Sequence, residues 1–331
     1  MNTLSREEID MFTGTFSALK NEMQKRIIGC DEVVEGVLNC FFAGGNVLIE
    51  SSPGLGKTLI VKTLAEVLDL KFRRIQFTPD LMPSDIIGTT IVMENEEGEK
   101  VFEFQQGPVF TQILLADEIN RATPKAQSAL LEAMQERMVS VGGKTYQLDL
   151  PYFVLATQNA ADTEGTYALP EAQVDRFLYK LELKFPSSEN LRRIGDTTTG
   201  NEDITLKHLC DGDKALQLQE TVRRVWVPEP IEAFAVNLIL KTNPASRQSK
   251  ERVKQFLRYG SSPRGVQGLI LGGKVQALIN GKGEVEEQHI TAVAKQVLGH
   301  RLILNLEGEA EQVKPHELIE EAITDLAAAA A

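Results

Sequence analysis

Eight residues, Ser51-Ser52-Pro53-Gly54-Leu55-Gly56-Lys57-Thr58, stand between an apolar run, Asn46 to Glu50, and a stripe of helical period formed by Ile60, Val61, Leu64, Ala65 and Leu68. Strand, glycine-containing loop and amphipathic helix in that order are the context a phosphate-binding loop requires. Gly54 and Gly56 let backbone N–H groups turn inward around phosphate oxygens, and the positive end of the following helix dipole adds to their pull. Lys57 carries a full charge toward the β- and γ-phosphates, and the Thr58 hydroxyl is a candidate Mg²⁺ ligand. The candidate nucleotide contacts are therefore Ser52, Pro53, Gly54, Leu55, Gly56, Lys57, Thr58 and Leu59. The usual pattern opens with Gly, and here Ser51 holds that place.

The same βα rhythm continues from about residue 46 to residue 183. Candidate strands are Asn46 to Glu50, Phe72 to Phe77, Ile113 to Ala116, Phe153 to Thr157 and Leu178 to Leu183, which predicts a parallel α/β sheet. Leu130, Ala133 and Met134 mark a second core-facing helix. Two stretches break the rhythm and read as hairpins. One runs from Gly88 to Phe104 around Asn95-Glu96-Glu97-Gly98, the other from Met138 to Leu148 around Gly142-Gly143. After Phe185-Pro186-Ser187-Ser188 helical periodicity takes over, with a polar stretch at Asp196 to Asp203 and helices carrying Phe234, Ala235 and Leu238, then Val293, Ala294, Val297 and Leu298. The expected division is an α/β nucleotide-binding domain over residues 1–186 and a smaller all-helical domain over 187–331, whose closing alanines, from Ala327, favour helix.

A second chemical signal is Ile113-Leu114-Leu115-Ala116-Asp117-Glu118, an apolar strand ending in two carboxylates. At a strand end the chain turns, so both side chains can approach one metal–phosphate centre. Asp117 is the candidate Mg²⁺ partner through water, and Glu118 the candidate base for an attacking water.

Composition narrows the rest. A formal charge of −12 disfavours a broad grip on nucleic acid, and no apolar run approaches the roughly 18 residues of a membrane span. With no basic, apolar leader at the amino terminus, the chain reads as cytoplasmic. Cys30, Cys40 and Cys210 lack CxxC spacing and read as reduced thiols. His208, His289, His300 and His316 lack metal-ligand spacing.

Asp117-Glu118-Ile119-Asn120-Arg121-Ala122, Ala156-Thr157-Gln158-Asn159 and Leu169-Pro170-Glu171-Ala172-Gln173-Val174-Asp175-Arg176-Phe177 resemble motifs of the MoxR family of AAA+ ATPases, over about residues 20 to 300. The resemblance implies an AAA+ core with a helical lid, ATP and Mg²⁺ as cofactors, and ATP hydrolysis. It implies that Asn159 senses the γ-phosphate, with Ala160 where many relatives have Pro. Arg176 matches the family's arginine finger, which reaches the nucleotide of a neighbouring subunit. Arg264, in Gly260-Ser261-Ser262-Pro263-Arg264, matches a second sensor. Its place at a helix start runs against the dipole and calls for an anion nearby. Whether it serves its own nucleotide or a neighbour's stays open. Arg26-Ile27-Ile28-Gly29 resembles the segment near adenine, with plain core packing of Ile27 and Ile28 the equal alternative and Gly29 closing the segment.

The expected protein is a ring-forming, six-membered, Mg-ATP-dependent remodelling machine with a protein client. By resemblance that client is a protein complex matured together with a von Willebrand factor A domain protein, metal-dependent complexes among them. Two other readings are a nucleic-acid motor and a nucleotide-dependent assembly switch. The first is disfavoured by Glu94, Glu96, Glu97, Glu99 and Glu103 against Lys100 on the first hairpin. The second needs neither Glu118 nor Arg176.

Overall fold

The computed structural model describes residues 4–94, 98–159, 167–200 and 204–330. Five parallel strands form one sheet, in the order Phe72–Gln76, Ile113–Asp117, Phe153–Gln158, Val47–Ser51, Tyr179–Leu183. Each falls within a residue of its expected bounds; in the three central strands continuous apolar runs bounded by turn residues are what a sheet buried on both faces demands, while the edge strands Phe72–Gln76 and Tyr179–Leu183 are partly exposed. Alternation sorts the side chains. Ile49, Ile113, Leu115, Phe153 and Leu155 join one core with the helices Arg6–Gln24, Asp31–Phe42 and Lys57–Val67, whereas Leu48, Leu114, Ala116, Val154 and Ala156 join another with the helix Pro124–Glu136. Phe41 closes the first core edge-on against Phe153, with ring centroids 5.5 Å apart. The edge strand Phe72–Gln76 carries the charged pair Arg73 and Arg74, which blunts it against further pairing.

Both hairpins form. Gly88–Glu94 pairs residue for residue with Lys100–Gln106, two residues beyond the expected end, and the turn positions Asn95, Glu96 and Glu97 lie outside the described residues. Met138–Val141 pairs with Lys144–Gln147 around Gly142 (φ 59°) and Gly143 (φ 78°), the two positive angles a tight two-residue turn needs. The hairpins are one body. Phe104 of the first stacks on Tyr146 of the second at 4.2 Å between ring centroids, and Phe110 packs on both rings.

The chain after residue 187 is helical, principally Ser188–Thr199, Gly212–Arg224, Glu229–Lys241, Pro263–Ile279, Glu287–Leu298 and Pro315–Ala330. The departures from helix include a short antiparallel pair, Leu257–Tyr259 with Ile303–Leu304. The polar stretch starting at Asp196 is helical as far as Thr199. Thr197, Thr198 and Thr199 donate their hydroxyls to the carbonyls four residues back and so avoid competing with the helix. Residues 201–203 lie outside the described residues. The helix Pro263–Ile279 packs hard on the sheet edge: a Cβ at Gly272 would stand 2.1 Å from the Tyr179 hydroxyl, which donates to Asn39.

Candidate nucleotide site

The phosphate loop leaves the C-terminal end of Val47–Ser51 and enters the helix Lys57–Val67. Gly54 (φ 82°) and Gly56 (φ 86°) sit in left-handed backbone, and a Cβ at either would meet nothing within 4 Å. Their constraint is conformational, and they border open space. The first turn of the helix holds no acidic residue, so its dipole is left uncompensated toward that space. Lys57 Nζ lies 3.5 Å from the Ser51 carbonyl and 3.4 Å from that of Ser52, folded along the loop. Ser52, Pro53 and Leu59 are exposed, and Leu55 and Thr58 half-buried.

Across the same sheet end stand the two carboxylates. Asp117 is buried; its Oδ1 accepts from Thr157 Oγ1 at 2.6 Å, and its Oδ2 accepts from Arg74 Nη2 at 2.6 Å and Nε at 3.1 Å. Glu118 follows in left-handed backbone (φ 57°), uncommon for a residue with a side chain and a local strain that reverses the chain. Its N–H donates to the same Thr157 hydroxyl at 2.8 Å, while its Oε2 accepts from Gln76 Nε2 at 2.8 Å and pairs with Arg121 Nη1 at 3.1 Å. The strand Phe153–Gln158 runs between these carboxylates and the phosphate-loop strand and delivers the buried Asn159 at its end. Ala160 lies outside the described residues.

The donor set fits phosphate and Mg²⁺. Turned-in backbone, an ammonium and a helix terminus suit an anion, while one hydroxyl and one carboxylate suit a hard cation that keeps most of its water. Among the described residues no group of three or more His, Cys, Asp or Glu could hold a metal by itself.

Arg176 and Arg264 are elsewhere. In the register of the sheet Ser51 pairs with Leu183 at one end, and Val47 with Tyr179 at the other. Leu178 N–H donates to the Asn46 carbonyl just before that second end. Four residue steps of about 3.3 Å put the ends about 13 Å apart, and residues 175–178 enter at the end opposite the phosphate loop. Arg264 lies with them: Nη1 donates to Asp175 Oδ2 at 3.1 Å. Asp175 is thus the anion that its place against the helix dipole required. The structure brings Lys57, Thr58, Asp117, Glu118 and Asn159 to one end of the sheet and Arg176 and Arg264 to the other.

Ile27 is buried in the core, Ile28 half-buried, and Gly29 (φ 76°) abuts Asn190, whose side-chain nitrogen would lie 2.4 Å from a Cβ there. Sequence reasoning assigned no role to Thr157, Arg74, Gln76, Asp175 or Arg301. For Thr157 a signal existed, a hydroxyl closing the apolar run Phe153 to Ala156. For the others the partners come from distant parts of the chain.

Residues 46–179 match the profile of the ATPase family associated with various cellular activities (AAA), and residues 249–322 match an AAA lid domain. The chain is 41% identical over 310 residues to Chaperone MoxR1 of Mycobacterium tuberculosis, covering 92% of this chain and 80% of that protein. It belongs to the MoxR family of AAA+ ATPases. Protein MoxR of Methylorubrum extorquens is 30% identical over 302 residues, 86% of each chain. A solved structure, a putative ATPase from Cytophaga hutchinsonii, superposes with a TM-score of 0.89 at 37% identity over 96% of each chain. The helix Pro263–Ile279, packed beside Tyr179, lies within the matched lid. Among the described residues no helix is long and apolar enough to cross a membrane.

Proposed function

We propose that the chain hydrolyses Mg-ATP at sites shared between neighbouring copies in a closed ring of six, and that the cycle drives the joined hairpins against a client protein. The observation that carries this reading is the division of the catalytic set between opposite ends of one sheet. A chain whose Glu118 and Arg176 stand at opposite ends does not complete a site alone. A second copy, presenting its arginine end to the first copy's phosphate loop, does.

Each residue then has a role. The loop from Ser52 to Thr58 cradles the phosphates, with Lys57 balancing their charge. Thr58 and Asp117 would hold Mg²⁺, which when bound neutralises phosphate charge. Glu118, released from Gln76 and Arg121, takes the proton of the attacking water, and Asn159 orients that water. Arg176 stabilises the charge that develops on the neighbour's phosphate, and Arg264, on the same end, acts toward the same neighbour. The domains divide at residue 186, and the lid moves with nucleotide state. On this reading the protein acts in the cytoplasm.

The client surface is the first hairpin. Phe102 is 80% exposed and its cross-strand partner Val92 55%, an apolar pair on an acidic ribbon, which suits protein better than nucleic acid. The MoxR relationship further suggests complexes matured with a von Willebrand factor A domain protein, metal-dependent ones included. Glu118→Gln protein tests this by capturing partners from native lysate with ATP or with ADP. ATP-dependent recovery of such a protein supports the reading, and ATP-dependent recovery of DNA or RNA overturns it.

A further inference from the structure

Two guanidinium groups and one hydroxyl meet one carboxylate at the arginine end of the sheet. Asp175 Oδ1 accepts from Arg301 Nε at 2.9 Å and from Ser262 Oγ at 3.0 Å; Oδ2 accepts from Arg264 Nη1 at 3.1 Å and lies 2.9 Å from the same hydroxyl. Arg301, its side chain 2% exposed, also donates to the carbonyls of Asp175 (3.0 Å), Phe177 (2.7 Å) and Leu178 (3.2 Å), and to that of Val297 on the lid helix Glu287–Leu298. One lid arginine thus clamps both sides of Arg176. Arg176 itself has no carboxylate partner among the described residues: Nη1 reaches the Leu131 carbonyl at 3.4 Å, and Nε is buried without an acceptor.

We infer that Asp175 and Arg301 are positioning residues that hold Arg176 and the lid's Arg264 as one two-arginine donor for the nucleotide of a second copy, so that the lid sets the reach of the finger. The inference rests on the shared-site reading above. A hub of this kind is a costly stabiliser, because desolvating buried charges offsets much of their attraction, whereas fixing a single geometry is a use that such groups do serve. The charge balance agrees. Asp175 is one carboxylate bonded to two arginines, Arg264 and Arg301, and Arg264 retains an open side, 41% exposed. Burial pushes the Arg301 guanidinium down from its ordinary value and Asp175 pulls it back up, so the clamp remains a cation.

The test separates donor from acceptor. Glu118→Gln protein supplies a finger and cannot hydrolyse; Arg176→Ala protein supplies a site and no finger. An equimolar mixture of the two is expected to recover ATPase activity. Asp175→Asn protein, inactive alone by about 10²-fold, is expected to recover activity equally when mixed with Glu118→Gln, which also shows that it folds and binds ATP. The double variant Glu118→Gln/Asp175→Asn, mixed with Arg176→Ala, is expected to recover none, and Glu118→Gln/Asp175→Glu to recover part. If the Asp175→Asn donor rescues as well as the parent, the positioning role is wrong while the shared site stands. If Asp175→Asn fails as an acceptor, Asp175 serves its own site and the inference falls. If the first mixture fails although the proteins assemble, the shared-site reading falls instead.

Discussion

The Thr157 hydroxyl donates to Asp117 Oδ1 at 2.6 Å from the neighbouring strand, and its oxygen also accepts the N–H of the next residue, Glu118. One fully buried hydroxyl therefore fixes the direction of the first carboxylate and the backbone of the second. Thr157→Val keeps the shape and deletes both bonds. The expected cost is about 1–3 kcal/mol for each buried polar group left unpaired, with a large fall in kcat because the carboxylates lose their fixed geometry. Urea unfolding and steady-state ATPase assays check it, and a variant as stable and active as the parent would remove Thr157 from the site.

Lys57→Ala removes the one full charge in the phosphate loop and should abolish measurable ATP binding. Calorimetric titration is the check, and undiminished affinity overturns the assignment of the loop.

Gln76 and Arg121 both donate to the Glu118 carboxylate, which holds it away from free rotation. Gln76→Ala should release Glu118 and raise basal ATPase activity several-fold while leaving the Kd for ATP unchanged. A fall in activity would show instead that Gln76 supports the working position of Glu118.

His300 is buried, with Nε2 donating to the Phe177 carbonyl at 3.1 Å. Burial first, then the nearby Arg301 and Lys180 charges, push its pKa well below the usual 6.5. The unfolded chain takes up this proton first. The stability contributed is thus complete above pH 6.5 and is lost as pH falls below it, with a limiting slope of about 1.4 kcal/mol per pH unit. His289, also depressed chiefly by burial, adds in the same direction. His300→Gln keeps a donor and should flatten the dependence between pH 6.5 and 5. The urea midpoint at several pH values reads the effect, and an unchanged slope rules His300 out as its source.

The elements legible in the sequence were those that neighbouring residues specify. Five strands followed from short apolar runs bounded by turn residues, the two hairpins from their glycine-containing turns, the helix stripes from a period of 3.6, and the phosphate loop from strand, glycines and helix in order. The boundaries moved where a local polar pattern has two solutions, as with Thr197 to Thr199, whose hydroxyls satisfy themselves within the helix.

By itself the sequence determined the kind of sheet, the loop that can hold phosphate and the strand end where Asp117 and Glu118 stand, since each depends on residues within a turn or two of one another. Only the tertiary structure decided that Arg74 reaches Asp117 across 43 positions, that Arg264 and Arg301 meet Asp175 across 89 and 126, and that the arginines lie at the end of the sheet opposite Lys57. Local periodicity encodes which face of an element is buried; which distant charge arrives there depends on the path of the whole chain, and no window of sequence contains it.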